Sequence, residues 1–207
     1  LVVTLSLATW AAALGGCTAP GDSTEQVEQA AAAIQGGAED EVDTSVVVLY
    51  NAELQELCTG SLLAPNLVLT AAHCVATTVV AGQSCSEYVF DGITATSNLL
   101  VSAATVTPMS TADYAKVAEV IALPEAGSGL CGQDLALVVL KSPLPEGAQK
   151  FLVPRVDEAV ANGETFAAVG YGGVDAKATE IGTRRRLDDL SVVCVADCMK
   201  VYWGEPE

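Results

Sequence analysis

From residue 34 onwards, the chain consists of short runs of apolar, often β-branched residues separated by turn residues. Pro and Gly clusters separate several of these runs, and no long stretch has the 3.6-residue period of an amphipathic helix. The pattern predicts strands at residues 45–50, 60–63, 67–70, 99–106, 118–123, 135–140, 165–169 and 190–195. Many short strands joined by frequent turns favour an all-β antiparallel sandwich or barrel.

The first 17 residues have the features of an export signal. Residues 1–14 form an uncharged apolar run, which is shorter than the roughly 20 residues that a membrane-spanning helix needs and fits a secretory signal. The initial Met and basic start are absent, so we expect the sequence to begin inside a precursor. Residues 18–33 are polar and then Ala-rich, which favours a linker or propeptide, because a short isolated helix is marginal in water.

The end of this signal carries a further motif. Leu14-Gly15-Gly16-Cys17 resembles the cleavage box of bacterial lipoproteins, in which the cysteine is lipidated and becomes the new N-terminus. The alternative is an ordinary signal-cleavage site in which Cys17 has no special role. We therefore expect an exported protein that is either secreted or anchored to the membrane of the bacterial cell envelope through a lipidated Cys17.

Charge and cysteine content restrict the class of function. The net charge of −17 over 207 residues repels phosphates and argues against nucleic acid as a partner. Seven cysteines indicate an oxidising compartment. With no C-x-x-C pair and a single histidine, a zinc site is not expected, and we predict no metal and no cofactor. The odd number of cysteines leaves one for another fate, such as lipidation.

The only histidine, His73, lies in the stretch Leu69-Thr70-Ala71-Ala72-His73-Cys74. The apolar run before it predicts a buried strand, and the cysteine after it predicts a disulfide, so we interpret His73 as a firmly held general base. The alternative is a core histidine without chemistry. Asp134 opens a second apolar run, where a carboxylate is costly to bury without a partner. We predict that Asp134 orients His73; the alternative is a strand cap or a turn residue.

Taken in order, these motifs resemble those of the chymotrypsin/trypsin-like serine endopeptidases. The similarity extends from Ile34 to about residue 198. It rests on the histidine stretch and on four further segments: Ile34-Gln35-Gly36-Gly37, Cys58-Thr59-Gly60-Ser61-Leu62-Leu63, Asp134-Leu135-Ala136-Leu137 and Val169-Gly170-Tyr171-Gly172. The resemblance implies two antiparallel six-stranded β-barrels with the catalytic residues in the cleft between them. Residues 34–207 are then one protease domain, with the second barrel incomplete in this chain.

The resemblance also implies how the cysteines pair. Cys58 and Cys74 match the family's disulfide around the catalytic histidine. Two further pairs are expected, the first by elimination and the second with pairing further downstream as its alternative: Cys85 with Cys131, and Cys194 with Cys198.

The sequence departs from the family at two places. The nucleophile motif Gly-Asp-Ser-Gly-Gly-Pro does not occur, so we expect the nucleophile to lie beyond Glu207 and these residues alone to be inactive. Ser61 and Ser191 lie in predicted strands and are not candidates. The family is activated by a cut before its Ile-x-Gly-Gly start, and here Ala33 precedes Ile34. Either an enzyme that prefers small residues cuts there, or activation is not proteolytic.

The function implied by the resemblance is hydrolysis of protein or peptide substrates by a monomeric serine endopeptidase. His73 acts as base and then as acid in forming and resolving an acyl-enzyme, and Asp134 orients it. The alternative is a non-catalytic surface protein that kept the barrels and lost the serine. Two charged segments are predicted to be solvated turns without calcium ligation: Arg184 to Arg186 with Asp188 and Asp189, and Asp40, Glu41 and Asp43.

Overall fold

A computed structural model of the protein describes residues 34–80, 87–121, 129, 134–144, 150–175 and 180–195. These residues form eleven strands, and their helical structure is limited to short 3-10 turns. None of their helices is long and apolar enough to cross a bilayer. The strands are β1 Ala38–Glu39, β2 Val46–Asn51, β3 Glu56–Ala64, β4 Leu67–Thr70, β5 Ala76–Val80, β6 Tyr88–Ile93, β7 Leu99–Ser102, β8 Ala115–Ile121, β9 Ala136–Leu140, β10 Thr165–Gly170 and β11 Arg185–Ser191.

Six strands close into an antiparallel barrel in the order β2-β3-β4-β9-β8-β7. Alternate residues of each strand point inwards, as the two-residue period of a strand requires. The interior is therefore filled by aliphatic side chains from every strand of the barrel: Val47, Leu49, Leu62, Val68, Leu99, Val101, Val117, Val138 and Leu140. This closed sheet confirms the predicted all-β class and its barrel architecture.

Strand β2 is buried on both faces, which explains why its sequence is continuously apolar and does not alternate. Val47 and Leu49 point into the barrel, whereas Val46 and Val48 pack outside it against Tyr171. The structure next to this outer face of β2 is a three-stranded antiparallel sheet with the order β1-β11-β10. Strand β2 therefore belongs to the barrel and packs with its outer face against the small sheet.

Polar contacts also join the small sheet to the barrel. The Tyr171 N–H, just after β10, donates to Thr59 Oγ1 of β3 at 3.0 Å, and the Tyr171 hydroxyl donates to the carbonyl of Ala104 at 2.7 Å. Gly170 allows this approach, because a Cβ atom there would lie 2.9 Å from Thr59 Oγ1. The Gly-Tyr-Gly segment therefore serves packing between the two sheets.

The strand predictions differ from the structure mainly at charged or short segments. Strand β4 has the predicted bounds, and β7 ends at Ser102, earlier than predicted. The hairpin of β5 and β6 and the two-residue β1 were not predicted. The last strand runs over Arg185–Ser191 and not over residues 190–195, because pairing with β10 and β1 outweighs the low strand preference of its charged residues.

The prediction that both charged segments are solvated turns was wrong for their key residues. Arg185 and Arg186 belong to β11. Arg184 and Asp40 are buried and form an ion pair with each other. A charge can be buried when a partner and further hydrogen bonds replace its water, and Arg184 finds both only because residues far apart in the sequence meet here.

Candidate active site

The register of two neighbouring strands brings His73 and Asp134 together. Strands β4 and β9 are antiparallel partners, with Thr70 opposite Ala136. His73 follows the end of β4 by three residues, and Asp134 precedes the start of β9 by two. Antiparallel strands end and begin at the same edge of a sheet, so these two side chains meet although they are 61 residues apart.

His73 lies in a 3-10 turn, Ala72–Cys74, that is fixed by burial on both sides of the imidazole. Ala72 and Cys74 are buried, whereas the His73 side chain is 46% exposed. A disulfide between Cys58 and Cys74 ties the turn to β3 across a separation of 16 residues. A bridge that closes a loop of this length contributes about 3 kcal/mol in the chain-entropy model. The turn is therefore firmly held, and it exposes the imidazole at the protein surface.

The Asp134 carboxylate binds His73 through both of its oxygens. Oδ2 lies 2.7 Å from His73 Nδ1, and Oδ1 accepts from the backbone N–H of His73 at 2.9 Å. An ionised carboxylate can only accept, so we assign the ring proton to Nδ1, which leaves Nε2 with a free lone pair. The arrangement thus produces the tautomer that can remove a proton from a hydroxyl group.

The other predicted site residues have different outcomes. Cys194 is disulfide-bonded, while its predicted partner Cys198 lies outside the described residues, as do Cys85, Cys131, Cys17 and Ala33. Ile34 is buried, and its carbonyl accepts from the Gly37 N–H at 3.0 Å. Within the described ranges, no serine hydroxyl is hydrogen-bonded to His73.

Two observations bear on other kinds of site. The sulfur atoms of Cys58 and Cys74 lie within 4.8 Å of a His73 ring nitrogen, but these sulfurs are joined in a disulfide, whereas metals bind the thiolate. A cavity of about 940 Å³, lined by Ser102, Tyr114 and Lys141 among others, does not include His73 or Asp134. The histidine–aspartate pair therefore lies outside this cavity, with side chains that are 46% and 27% exposed.

An exposed imidazole bound by a carboxylate is the arrangement that proteins with a histidine–aspartate base use. The family model for trypsin matches residues 34–206. The chain belongs to the trypsin family of serine proteases, as its motifs predicted.

Sequence reasoning missed one group of residues beneath this site. Asn51, at the end of β2, donates from Nδ2 to the carbonyl of Cys74 at 3.1 Å and to Thr94 Oγ1 at 3.0 Å. The side chains of Asn51 and Thr94 are almost fully buried. The only feature of the sequence that points to this group is an asparagine at the end of a β-branched run. The same feature is equally typical of an ordinary turn residue.

Proposed function

We propose that the protein is a serine endopeptidase that uses His73 as its proton-transfer group and Asp134 as the orienting carboxylate. The observation that carries this proposal is the two-point contact, at 2.7 and 2.9 Å, between Asp134 and His73 in a chain of the trypsin family. Engagement of Nδ1 as well fixes both the ring orientation and its tautomer.

In the proposed reaction, Nε2 of His73 accepts the proton of a serine hydroxyl while that oxygen attacks the peptide carbonyl carbon. The imidazolium that forms is stabilised by Asp134. His73 then gives this proton to the leaving amine, the C–N bond breaks, and an acyl-enzyme remains. A water molecule, deprotonated by the same Nε2, attacks the acyl-enzyme, and the proton returns to the serine oxygen as the acid product leaves.

The test is a serine-directed fluorophosphonate probe applied to the product of the complete gene. We expect covalent labelling of the wild-type protein and its loss in His73→Ala, because the hydroxyl needs a base. Asn98→Ala, which removes a half-buried side chain bonded to Glu53, is the control and should label normally. Equal labelling rates for His73→Ala and wild type would contradict the proposal.

The alternative function is a non-catalytic binding or scaffold protein with the same fold. It requires that the serine of the Gly-Asp-Ser-Gly-Gly-Pro motif, which is not among the 207 residues, is replaced. Reading the codons that follow Glu207 in the gene separates the two. The motif with its serine supports the peptidase, whereas the motif with another residue at that position supports the binding protein.

We further propose that the protein is exported and lipidated at Cys17. The apolar run of residues 1–14 and the Leu-Gly-Gly-Cys box support this. Radiolabelled palmitate should be incorporated into the wild-type protein and not into Cys17→Ser. N-terminal sequencing also tests processing, because a mature protein that starts only at Cys17 excludes cleavage between Ala33 and Ile34.

A further inference from the structure

The side chain of Asn51 uses its full hydrogen-bonding capacity inside the protein. Its Nδ2 group donates to the carbonyl of Cys74 and to Thr94 Oγ1, at 3.1 and 3.0 Å. Its Oδ1 atom accepts from the N–H groups of Glu53 and Leu54, at 3.1 and 3.2 Å. An amide has two donors and two acceptor positions, and Asn51 is completely buried. Its orientation is therefore fixed.

These contacts converge on the backbone that follows His73. Asn51 binds the carbonyl of Cys74, and the N–H of Thr94 donates to the next carbonyl, that of Val75, at 2.9 Å. Thr94 is 1% exposed, so both bonds are shielded from water. We call Asn51 and Thr94 the buried support; it binds two successive carbonyls on the C-terminal side of the imidazole.

The buried support adds a restraint on the C-terminal side of His73 to those made by the disulfide and by Asp134. The disulfide holds Cys74 only through its side chain, and Asp134 holds the backbone on the N-terminal side of His73 through its N–H. The peptide unit between Cys74 and Val75 is held at its N–H by the carbonyl of Ala72, at 3.0 Å, and at its carbonyl by Asn51 Nδ2, at 3.1 Å. Rotation of that unit would tilt the turn and move the imidazole relative to Asp134.

We propose that Asn51, oriented by Thr94, is a positioning residue that sets the geometry of the His73–Asp134 pair from inside the barrel. A base must be held within about 0.5 Å of its productive position to act efficiently, and a small misplacement lowers the rate strongly. The inference deepens the proposed function and rests on it for its catalytic consequence. Its structural consequence, an altered His73, is independent of activity.

The single histidine makes that consequence directly measurable. In protein labelled with 15N-histidine, the only imidazole signals belong to His73, and the exchange rate of the Nδ1 proton with water reports how firmly it is held by Asp134. We expect Asn51→Ala to increase this exchange by about tenfold, the effect expected for one lost hydrogen bond. Where peptidase activity is present, kcat should fall by a similar factor with KM unchanged.

Ser102→Ala is the matched control, because it also removes a buried polar group from the barrel, one that accepts from the Ala104 N–H at 3.3 Å. It should lower the melting temperature without changing the His73 signals. If Asn51→Ala folds and its Nδ1 proton exchanges as slowly as in the control, Asn51 has only a structural role and the proposal fails.

A second pair of variants decides the question if Asn51→Ala does not fold. Thr94→Val keeps the shape and the backbone contact to Val75 but removes the hydroxyl that Asn51 binds. Because only the hydrogen bond that orients Asn51 is lost, we expect the His73 Nδ1 proton to exchange about threefold faster than in wild type. Thr94→Ser restores the hydroxyl and should restore the wild-type exchange rate. A wild-type exchange rate in Thr94→Val overturns the proposal. Neither measurement requires a nucleophile, so loss of the proposed function would leave this result interpretable.

Discussion

Arg184 and Asp40 form an ion pair in the interior, with 3.0 Å between Nε and Oδ2 and side chains that are 1% and 5% exposed. Arg184 also donates to the carbonyls of Val46 and Ala103, and Asp40 accepts from the N–H of Val42. The pair thus joins the segment before β2 to the small sheet. The pair is nearly free of water, and both of its side chains make further hydrogen bonds.

Breaking this pair should strongly destabilise the fold. Asp40→Asn leaves the Arg184 charge buried without a counterion, which typically costs about 3–5 kcal/mol. Urea unfolding followed by circular dichroism measures the loss. Asp43→Asn is the matched control, because it removes the charge that pairs with Arg186, a side chain that is 39% exposed, and screening by water makes such a pair weak. Equal losses in both variants would contradict the argument.

The orientation of His73 by Asp134 predicts a large kinetic effect. Asp134→Asn keeps the shape of the side chain, but an amide can donate to Nδ1 and stabilise the tautomer in which Nε2 carries the proton. In triads of this type such a change lowers kcat by about 10⁴-fold. The measurement is the rate of hydrolysis of a chromogenic peptide by the product of the complete gene. Asp157→Asn, an exposed aspartate, serves as control, and near-normal turnover in Asp134→Asn would be incompatible with the proposed role.

Gly60 is required by the close approach of two barrel strands. A Cβ atom there would lie 2.5 Å from Val68 Cγ1 and 3.3 Å from the carbonyl oxygen of Leu69. We expect Gly60→Ala to lower the free energy of unfolding by about 1–3 kcal/mol, the usual range for overpacking. In the control Gly92→Ala, the nearest atom would be 3.5 Å away. If both variants unfold at the same urea concentration, the contact between β3 and β4 is looser than described.

We expect Tyr171 to lower the stability of the folded protein at alkaline pH. Burial raises the pKa of Tyr171 above its ordinary value of 10.0, and nearby Arg184 offsets part of that increase. Because the unfolded state loses the phenolic proton first, the stabilisation is complete below about pH 10 and is lost as the pH rises through the raised pKa of the folded state.

The corresponding measurement is the free energy of unfolding as a function of pH for wild type and Tyr171→Phe. The variant should be less stable by about 1 kcal/mol at neutral pH, because it loses the bond to Ala104, but its stability should fall less steeply above pH 10. Tyr114, whose pKa is also raised by burial, is present in both proteins. Parallel curves above pH 10 would show that folding does not change the pKa of Tyr171 and would contradict this prediction.

The barrel and the His73–Asp134 pair at its edge were predictable because they depend on patterns that are local in the sequence. The run before Asn51 and the stretch that ends at Thr70 are apolar over the length of a strand, and both form strands. His73 and Asp134 each adjoin such a run, so their positions at strand ends follow from the sequence. The motifs that surround these two residues are contiguous in the chain, so the family could also be predicted from the sequence alone.

What the tertiary structure decided is where charged and polar side chains find partners. The same local pattern that predicts strands assigns Arg184 and Asp40 to solvated turns and gives no reason to bury Asn51, because isolated charges and amides prefer water. Arg184 is buried only because Asp40, 144 residues away, reaches it. Asn51 is buried because Cys74 and Thr94 lie within hydrogen-bonding distance. A sequence specifies strands locally, but burial of a polar group depends on distant partners that only the closed barrel brings together.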